Sequence, residues 1–277
     1  MASVQELLRS ACDLPGDSPR TDAEILLGHC LQQSRSWLYT WPERQVPTAQ
    51  SAQYQHLLEE RRQGQPVAYL VGRREFWSLP LAVNQHTLIP RPETETLVSW
   101  ALELVLPADA RVLDLGTGSG AIALALASER PDWQVAGVDA SEQALLVARR
   151  NAANLGLDRV SFRCSDWYQA VAAQNFALLV SNPPYVDGND AHLQCGDVRF
   201  EPRSALVAPD AGMADLAALA TGARGHLTEG GWLLLEHGCD QAAAVRALLA
   251  TAGFGQITTR CDLAGLERIT GGCLDAE

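Results

Sequence analysis

A short apolar run, Val112 to Leu115, opens directly onto Gly116, Gly118 and Gly120, and then onto Ala121-Ile-Ala-Leu-Ala-Leu-Ala-Ser128. A buried strand, a glycine turn and a helix of strong helix formers leave little freedom. They predict the first βα unit of a doubly wound α/β sheet, whose missing side chains let a ligand approach the backbone. Gln134-Val-Ala-Gly-Val-Asp139 predicts the next strand and ends in a carboxylate. That acid falls about twenty residues past the loop, where a carboxylate can accept from both hydroxyls of a ribose. Arg159-Val-Ser-Phe-Arg-Cys164 predicts a third strand, which delivers Ser165, Asp166 and Trp167 to the same sheet edge.

Two ligand types satisfy this half of the chain. Gly116, Gly118 and Ala121 also match the dinucleotide fingerprint with alanine in third place, so a nicotinamide dehydrogenase competes at this stage. Asp166 and Trp167 suit an adenine amino group and ring face. They suit equally an N-cap aspartate and a packed tryptophan.

Asn182-Pro183-Pro184-Tyr185 bears on the chemistry. It follows Phe176-Ala-Leu-Leu-Val-Ser181, a run that predicts a buried strand, and open α/β sheets place their chemistry at that C-terminal edge. Two prolines hold the turn extended and contribute no N–H. What remains is one amide side chain, carbonyl oxygens and an aromatic ring. The Asn182 and Pro183 carbonyls can each accept one hydrogen of a flat NH2 group, and Tyr185 can pack on its plane. Such a nitrogen is a poor nucleophile because its lone pair is delocalised. Fixed acceptors aim it at an electrophile and stabilise the positive charge that grows on it during attack.

The flanks are organised around this core. Residues 3 to 63 read as helices: one with Val4, Leu7, Leu8 and Ala11 on a face, one over Asp22 to Gln32, and a more polar one over Thr48 to Arg62. Val67-Ala-Tyr-Leu-Val71 and Phe76 to Val83 read as two strands of a hairpin. Thr87 to Pro92 reads as a stiff connector, and Glu93 to Val105 as a helix with acids at its N-terminus. Residues 186 to 210 form a long loop of the kind that covers a substrate. A helix from Ala214, the strand Trp232 to Glu236, a helix to Ala252 and two closing strands complete the pattern. The expected organisation is a helical docking domain (1–64), a β-hairpin linker (65–88) and a catalytic domain (89–277).

A net charge of -12 argues against bare DNA as a partner, because phosphate neutralisation by basic side chains carries much of nucleic-acid affinity. A basic protein suits it better. Seven cysteines without regular spacing point to free thiols in a reducing cytoplasm, and no metal-ligand spacing occurs. No apolar stretch approaches the roughly 18 residues a membrane span requires, and the N-terminus lacks signal-peptide character.

With these motifs in place, the chain resembles the class I S-adenosylmethionine-dependent methyltransferases. More closely it resembles the protein-(glutamine-N5) methyltransferases of bacterial peptide-chain release factors. The resemblance rests on Gln65 to Gly72, Glu75-Phe-Trp77, Thr87-Leu-Ile-Pro-Arg-Pro-Glu-Thr-Glu95, the glycine loop, Asn182 to Tyr185, Phe200-Glu-Pro-Arg-Ser-Ala-Leu206 and Leu235-Glu-His-Gly238. It implies a Rossmann-like sheet with an antiparallel last strand, beside a small N-terminal helical domain. It also implies S-adenosylmethionine on Gly116, Thr117, Gly118, Ser119 and Gly120, with its ribose on Asp139 and its adenine by Asp166 and Trp167. Asn182 would border cofactor and substrate, and Asn182 to Tyr185 would hold the glutamine of the Gly-Gly-Gln loop of class 1 release factors. The Asn-Pro-Pro-Tyr turn is shared with adenine-N6 methyltransferases of RNA or DNA, which are the alternative reading.

Overall fold

A computed structural model of the chain describes residues 1–11, 13–16 and 18–274, and the chain divides into two compact units. The first comprises Met1–Arg73 together with Ala191–Phe200; the second comprises Arg74–Asp190 and the chain from Glu201 onward.

The first unit is helical. Its elements are α1 (Val4–Arg9), α2 (Pro19–Leu31), α3 (Arg35–Thr40), α4 (Thr48–Arg62) and α5 (Val67–Val71). Ser3 and Glu6 form a capping box at α1, and Ser34 caps α3 by accepting from the Trp37 amide at 3.2 Å. Leu26, Leu27, Leu38, Tyr54 and Leu58 fill its core. The buried Arg61 guanidinium organises the loops of the unit. It donates to Asp22 (2.9 Å), to the carbonyls of Pro15 and Gln65 (both 3.1 Å), and to Asp197 (2.8 Å). Asp197 lies in the loop after Asn182 to Tyr185, so part of the loop expected to act as a lid is held in the first unit.

Two local readings in the first unit need correction. Val67 to Val71, expected as a strand of the hairpin, is helical. Pro66 precedes it, Gly72 ends it in the left-handed region at φ 71°, and Val67, Leu70 and Val71 pack on the helical core. Five residues with two valines carry a β preference too weak to resist that packing. The segment before α4, taken as a break, contains the extra helix α3.

The unit boundary falls after the first residue of a hairpin, β1 (Arg73–Phe76) and β2 (Leu79–Ala82), which opens the second unit. Trp77 and Ser78 turn it with positive φ at both positions (51° and 58°), so Phe76 to Val83, expected as one strand, instead contains the turn, and Arg73 to Phe76 supplies the other strand. A single 3-10 turn (Pro92–Thr94) leads into α6 (Glu95–Glu103), followed by β3 (Arg111–Leu115), α7 (Ala121–Glu129), β4 (Gln134–Asp139), α8 (Glu142–Leu155), β5 (Ser161–Cys164) and β6 (Phe176–Ser181). The chain continues through β7 (Val186–Asp187), β8 (Val207–Ala208), α9 (Ala214–Ala223), β9 (Leu227–Glu236), α10 (Ala242–Thr251), β10 (Gly255–Cys261) and β11 (Glu267–Cys273).

Seven strands form one sheet in the order β10-β11-β9-β6-β3-β4-β5. Only β11 runs against the rest, inserted between β9 and β10. This is the expected doubly wound sheet with an antiparallel last strand, and its strand order explains where the chemistry sits. From β3 the chain moves outward through β4 and β5, then returns to place β6 on the other side of β3. The crevice at that reversal lies between the end of β3, with its glycine turn, and the end of β6, with Asn182.

Candidate active site

A cavity of about 310 Å³ opens at the C-terminal edge of the sheet, inside the second unit. Gly116, Thr117, Gly118 and Ser119 form one wall; Asp139, Asp166 and Trp167 form the next, and Asn182 and Pro184 face them. The structure therefore brings together most of the residues singled out from sequence. Gly120, Pro183 and Tyr185 are not on the wall. Gly120 packs behind it, at φ 83° and with Leu124, Ala148 and Phe162 so near that a Cβ would lie 3.1–3.3 Å from them.

Each wall residue is held by the backbone geometry around it. Asp139 accepts from the Gly118 amide through one oxygen and from the Ser141 amide through the other, both at 2.8 Å. Burial raises its pKa above the ordinary carboxylate value, against those two bonds. A carboxylate has about four acceptor sites, so both oxygens retain capacity for a ligand hydroxyl. Gly118 has open space where a side chain would begin. The Trp167 ring lies 3.4 Å from the Cβ position of Gly116. Asp166 accepts from the Gln169 side chain at 3.0 Å, whereas it is Ser165 that accepts from the next turn's backbone, at Ala170 (2.9 Å). Neither residue caps the short helix that follows, whose N-cap is Tyr168 with no side-chain bond.

Sequence reasoning passed over the groups that brace the glycine turn. Asp114, fully buried at the end of β3, accepts from the Thr117 hydroxyl (2.6 Å) and the Ala123 amide (3.2 Å). Burial pushes its pKa up to about 7. Asn151 of α8 donates to the Ser119 carbonyl (2.9 Å) and exchanges two bonds with Ala82 of the hairpin. Its only sequence signal is an amide in the middle of a helix, where asparagine is a poor helix former.

Opposite stands the Asn182 turn. The Asn182 amide nitrogen donates to the Thr94 hydroxyl at 3.1 Å. Tyr185 turns its hydroxyl to Glu236 at 3.3 Å, and its carbonyl accepts from the Gln241 side chain at 3.0 Å. A Cβ on Gly212 would meet that same carbonyl at 2.1 Å, so only glycine lets this loop close on the turn. Along the rim, Thr87, Leu88, Pro90 and Arg91 also line the cavity, with Pro202 and Ser204 beside them. Glu201 joins the two rim segments: its buried carboxylate accepts from the Ile89 amide (2.9 Å) and pairs with Arg91.

Glu236 is buried at the end of β9, and burial pushes its pKa up from 4.5 to about 7. Between those values the folded state holds a proton that the unfolded chain has released. Stability attributable to this group therefore falls as pH rises from 4.5 to 7, and the penalty is complete above 7. Glu236→Gln is expected to raise stability at pH 8 by roughly 2–3 kcal/mol. Thermal melts of both proteins from pH 5 to 8 check this; a difference that does not vary with pH contradicts it.

Comparison with known proteins agrees with this architecture. Residues 3–72 match a family described as the PrmC N-terminal domain, and residues 94–202 match the methyltransferase small domain. A release factor glutamine methyltransferase of Shewanella oneidensis is 52% identical over 256 residues, covering 92% of this chain and 90% of that protein. One from Escherichia coli strain K12 is 51% identical over 254 residues, covering 92% of each. Among solved structures, a methyltransferase from Pyrococcus furiosus aligns with a TM-score of 0.55 at 17% identity, over 72% of this chain and 90% of that one, a likeness of fold.

Proposed function

The chain belongs to the release factor glutamine methyltransferase family, and on that premise we propose that it methylates the side-chain amide nitrogen of the glutamine in the Gly-Gly-Gln loop of class 1 release factors. The observation that carries the reading is the cavity itself, where a ribose-type acceptor (Asp139), an open glycine turn and an amide acceptor turn (Asn182) face one another.

The residues fit S-adenosylmethionine, whose sulfonium supplies the methyl group. Gly116 to Ser119 would line it with Gly120 packed behind, Asp139 would take the ribose hydroxyls, and Asp166 and Trp167 would lie by the adenine. Across the cavity, Asn182 would accept one hydrogen of the substrate amide, and the carbonyl of Pro183, whose ring is off the wall, would accept the other. Pro184 keeps the turn extended, and Tyr185 roots it in the interior. Holding both N–H bonds aims the nitrogen and stabilises the charge that develops on it. No base activates the amide, whose free pKa lies far above the reach of a histidine; the proton leaves after the nitrogen has become cationic.

The helical region 1–64 is proposed as the docking domain for the protein substrate, with 65–88 as linker and 89–277 as the catalytic domain. Tyr39 and Trp41, each 54% exposed, supply aromatic surface for such docking. The acidic charge of -12 suits a basic protein partner better than DNA. Among the described residues no helix is long and apolar enough to cross a membrane, and the reading places the enzyme in the cytoplasm with its substrate. The adenine-N6 alternative is not favoured, since relatives at about half identity carry the glutamine activity in their names.

Transfer of labelled methyl from S-adenosylmethionine to a purified release factor tests the proposal, beside a release factor with alanine in place of the Gly-Gly-Gln glutamine. Label on the first alone supports it; label on nucleic acid instead moves the assignment to the adenine alternative. Asp139→Ala is expected to weaken cofactor binding by roughly 1–3 kcal/mol, read by equilibrium titration. Unchanged binding removes Asp139 from the ribose role.

A further inference from the structure

An asparagine amide has two nearly isosteric ends of opposite hydrogen-bond polarity. Only its oxygen can accept from a substrate NH2; turned over, it would present N–H to N–H. Something must fix the orientation, and within the turn the two prolines offer no side-chain donor or acceptor while the Tyr185 hydroxyl is turned to Glu236.

The groups behind Asn182 can. Its nitrogen donates to the Thr94 hydroxyl at 3.1 Å, and Thr94, 4% exposed, stands beside it at the cavity edge. Thr94 in turn favours the charged form of Glu236, which is 1% exposed. Glu236 lies beside Asn182 because Ser181 of β6 pairs with Leu235 of β9, making these the next residue on each strand. One Glu236 oxygen takes the Tyr185 hydroxyl; the other is buried with no hydrogen-bond partner among the described residues. A buried acceptor without a donor and a hydroxyl whose hydrogen is not used by Asn182 thus both flank Asn182.

We propose that Thr94 and Glu236 form a polarity lock, in which the carboxylate takes the Thr94 hydrogen and so obliges Thr94 to accept from Asn182. The Asn182 nitrogen is then held inward and its oxygen faces the cavity. Thr94 and Glu236 are positioning residues, acting through Asn182. The inference rests on the reading of Asn182 as the acceptor of the substrate amide. It also requires the ionised carboxylate, because a protonated Glu236 can donate to Thr94 and reverse the chain. Besides Thr94, the groups facing Glu236 are Tyr185 after β6, Arg268 on β11 and Glu93 before α6.

The test uses the full chain at pH 8. Thr94→Val, which removes the hydroxyl at nearly constant volume, is expected to lower kcat about tenfold, one hydrogen bond's worth, without changing cofactor affinity. Thr94→Ser should restore it. Glu236→Gln, though more stable, should also be slower, since its NH2 can donate to Thr94 and turn Asn182 over. A flipped Asn182 offers N–H to the cavity, so Glu236→Gln should be inhibited more strongly than wild type by a release factor with glutamate at the acceptor position. Selective 15N-asparagine labelling reads the lock without substrate: the Asn182 amide hydrogens should exchange slowly in wild type and quickly in Thr94→Val. Full kcat in Thr94→Val, no rescue by serine, or equal exchange overturns the lock. Slow exchange without methyl transfer to a release factor overturns the functional reading instead.

Discussion

Asn182→Ala is expected to lower kcat by about 10²–10³-fold, the range for removing one preorganised group that stabilises developing charge. The Kd for S-adenosylmethionine should stay within about twofold, as for a site that does not share the ribose or glycine-turn contacts. The asymmetry follows from placement. Asn182 follows β6 on one side of the reversal, whereas Asp139 and the glycine turn lie on the other. Single-turnover methyl transfer and equilibrium cofactor titration on the same protein separate the two effects. A variant that binds cofactor and transfers at the wild-type rate would remove Asn182 from the acceptor role. A variant that loses both together would mean that the turn shapes the cofactor pocket as well.

The second large effect is expected at Glu201. Its side chain is fully buried, accepts from the buried Ile89 amide at 2.9 Å and pairs with Arg91, which is 30% exposed. Glu201→Ala leaves that amide unsatisfied and the guanidinium without its partner. The expected cost is about 3 kcal/mol, the low end for breaking a buried pair because Arg91 retains access to water. For a unit of this size that lowers Tm by about 6–12 °C. Glu201→Gln keeps an acceptor for Ile89 and loses the charge, and should fall between. Because Thr87 to Arg91 lines the cavity, KM for the protein substrate should rise in both variants. Calorimetry and steady-state kinetics give the two numbers independently; a wild-type Tm in Glu201→Ala would show that the connector is held by other contacts.

Much of this site was legible in the residues. Gly116 to Ser119, Asp139, Asp166, Trp167 and Asn182 reach one cavity because each stands at the end of a strand, and parallel strands carry their C-terminal ends to one edge. Periodicity located those strands almost to the residue where the apolar runs were long and ended in glycine, aspartate or proline. It failed where runs were short. Val67 to Val71 has strand-like composition and is helical, because five residues bounded by Pro66 and Gly72 follow the surface on which they pack. The short α3 was missed for the same reason: one turn of amphipathic pattern is too little signal.

The supporting groups were out of reach for a different reason. Thr94, Asp114, Asn151, Glu201 and Glu236 are ordinary residues in their own segments. Their importance comes from burial and from partners far along the chain, 51 residues away for Tyr185 and Glu236 and 112 for Ile89 and Glu201. Sequence by itself determined the class of fold, the sheet edge at which the cavity opens and most of the residues that line it, because strand ends and glycine turns are local properties of the chain. Tertiary structure alone decided which polar groups stand behind those residues and how their hydrogen bonds are directed. A buried carboxylate acquires its protonation state, and an amide its orientation, only when distant strands pack together and exclude water from both.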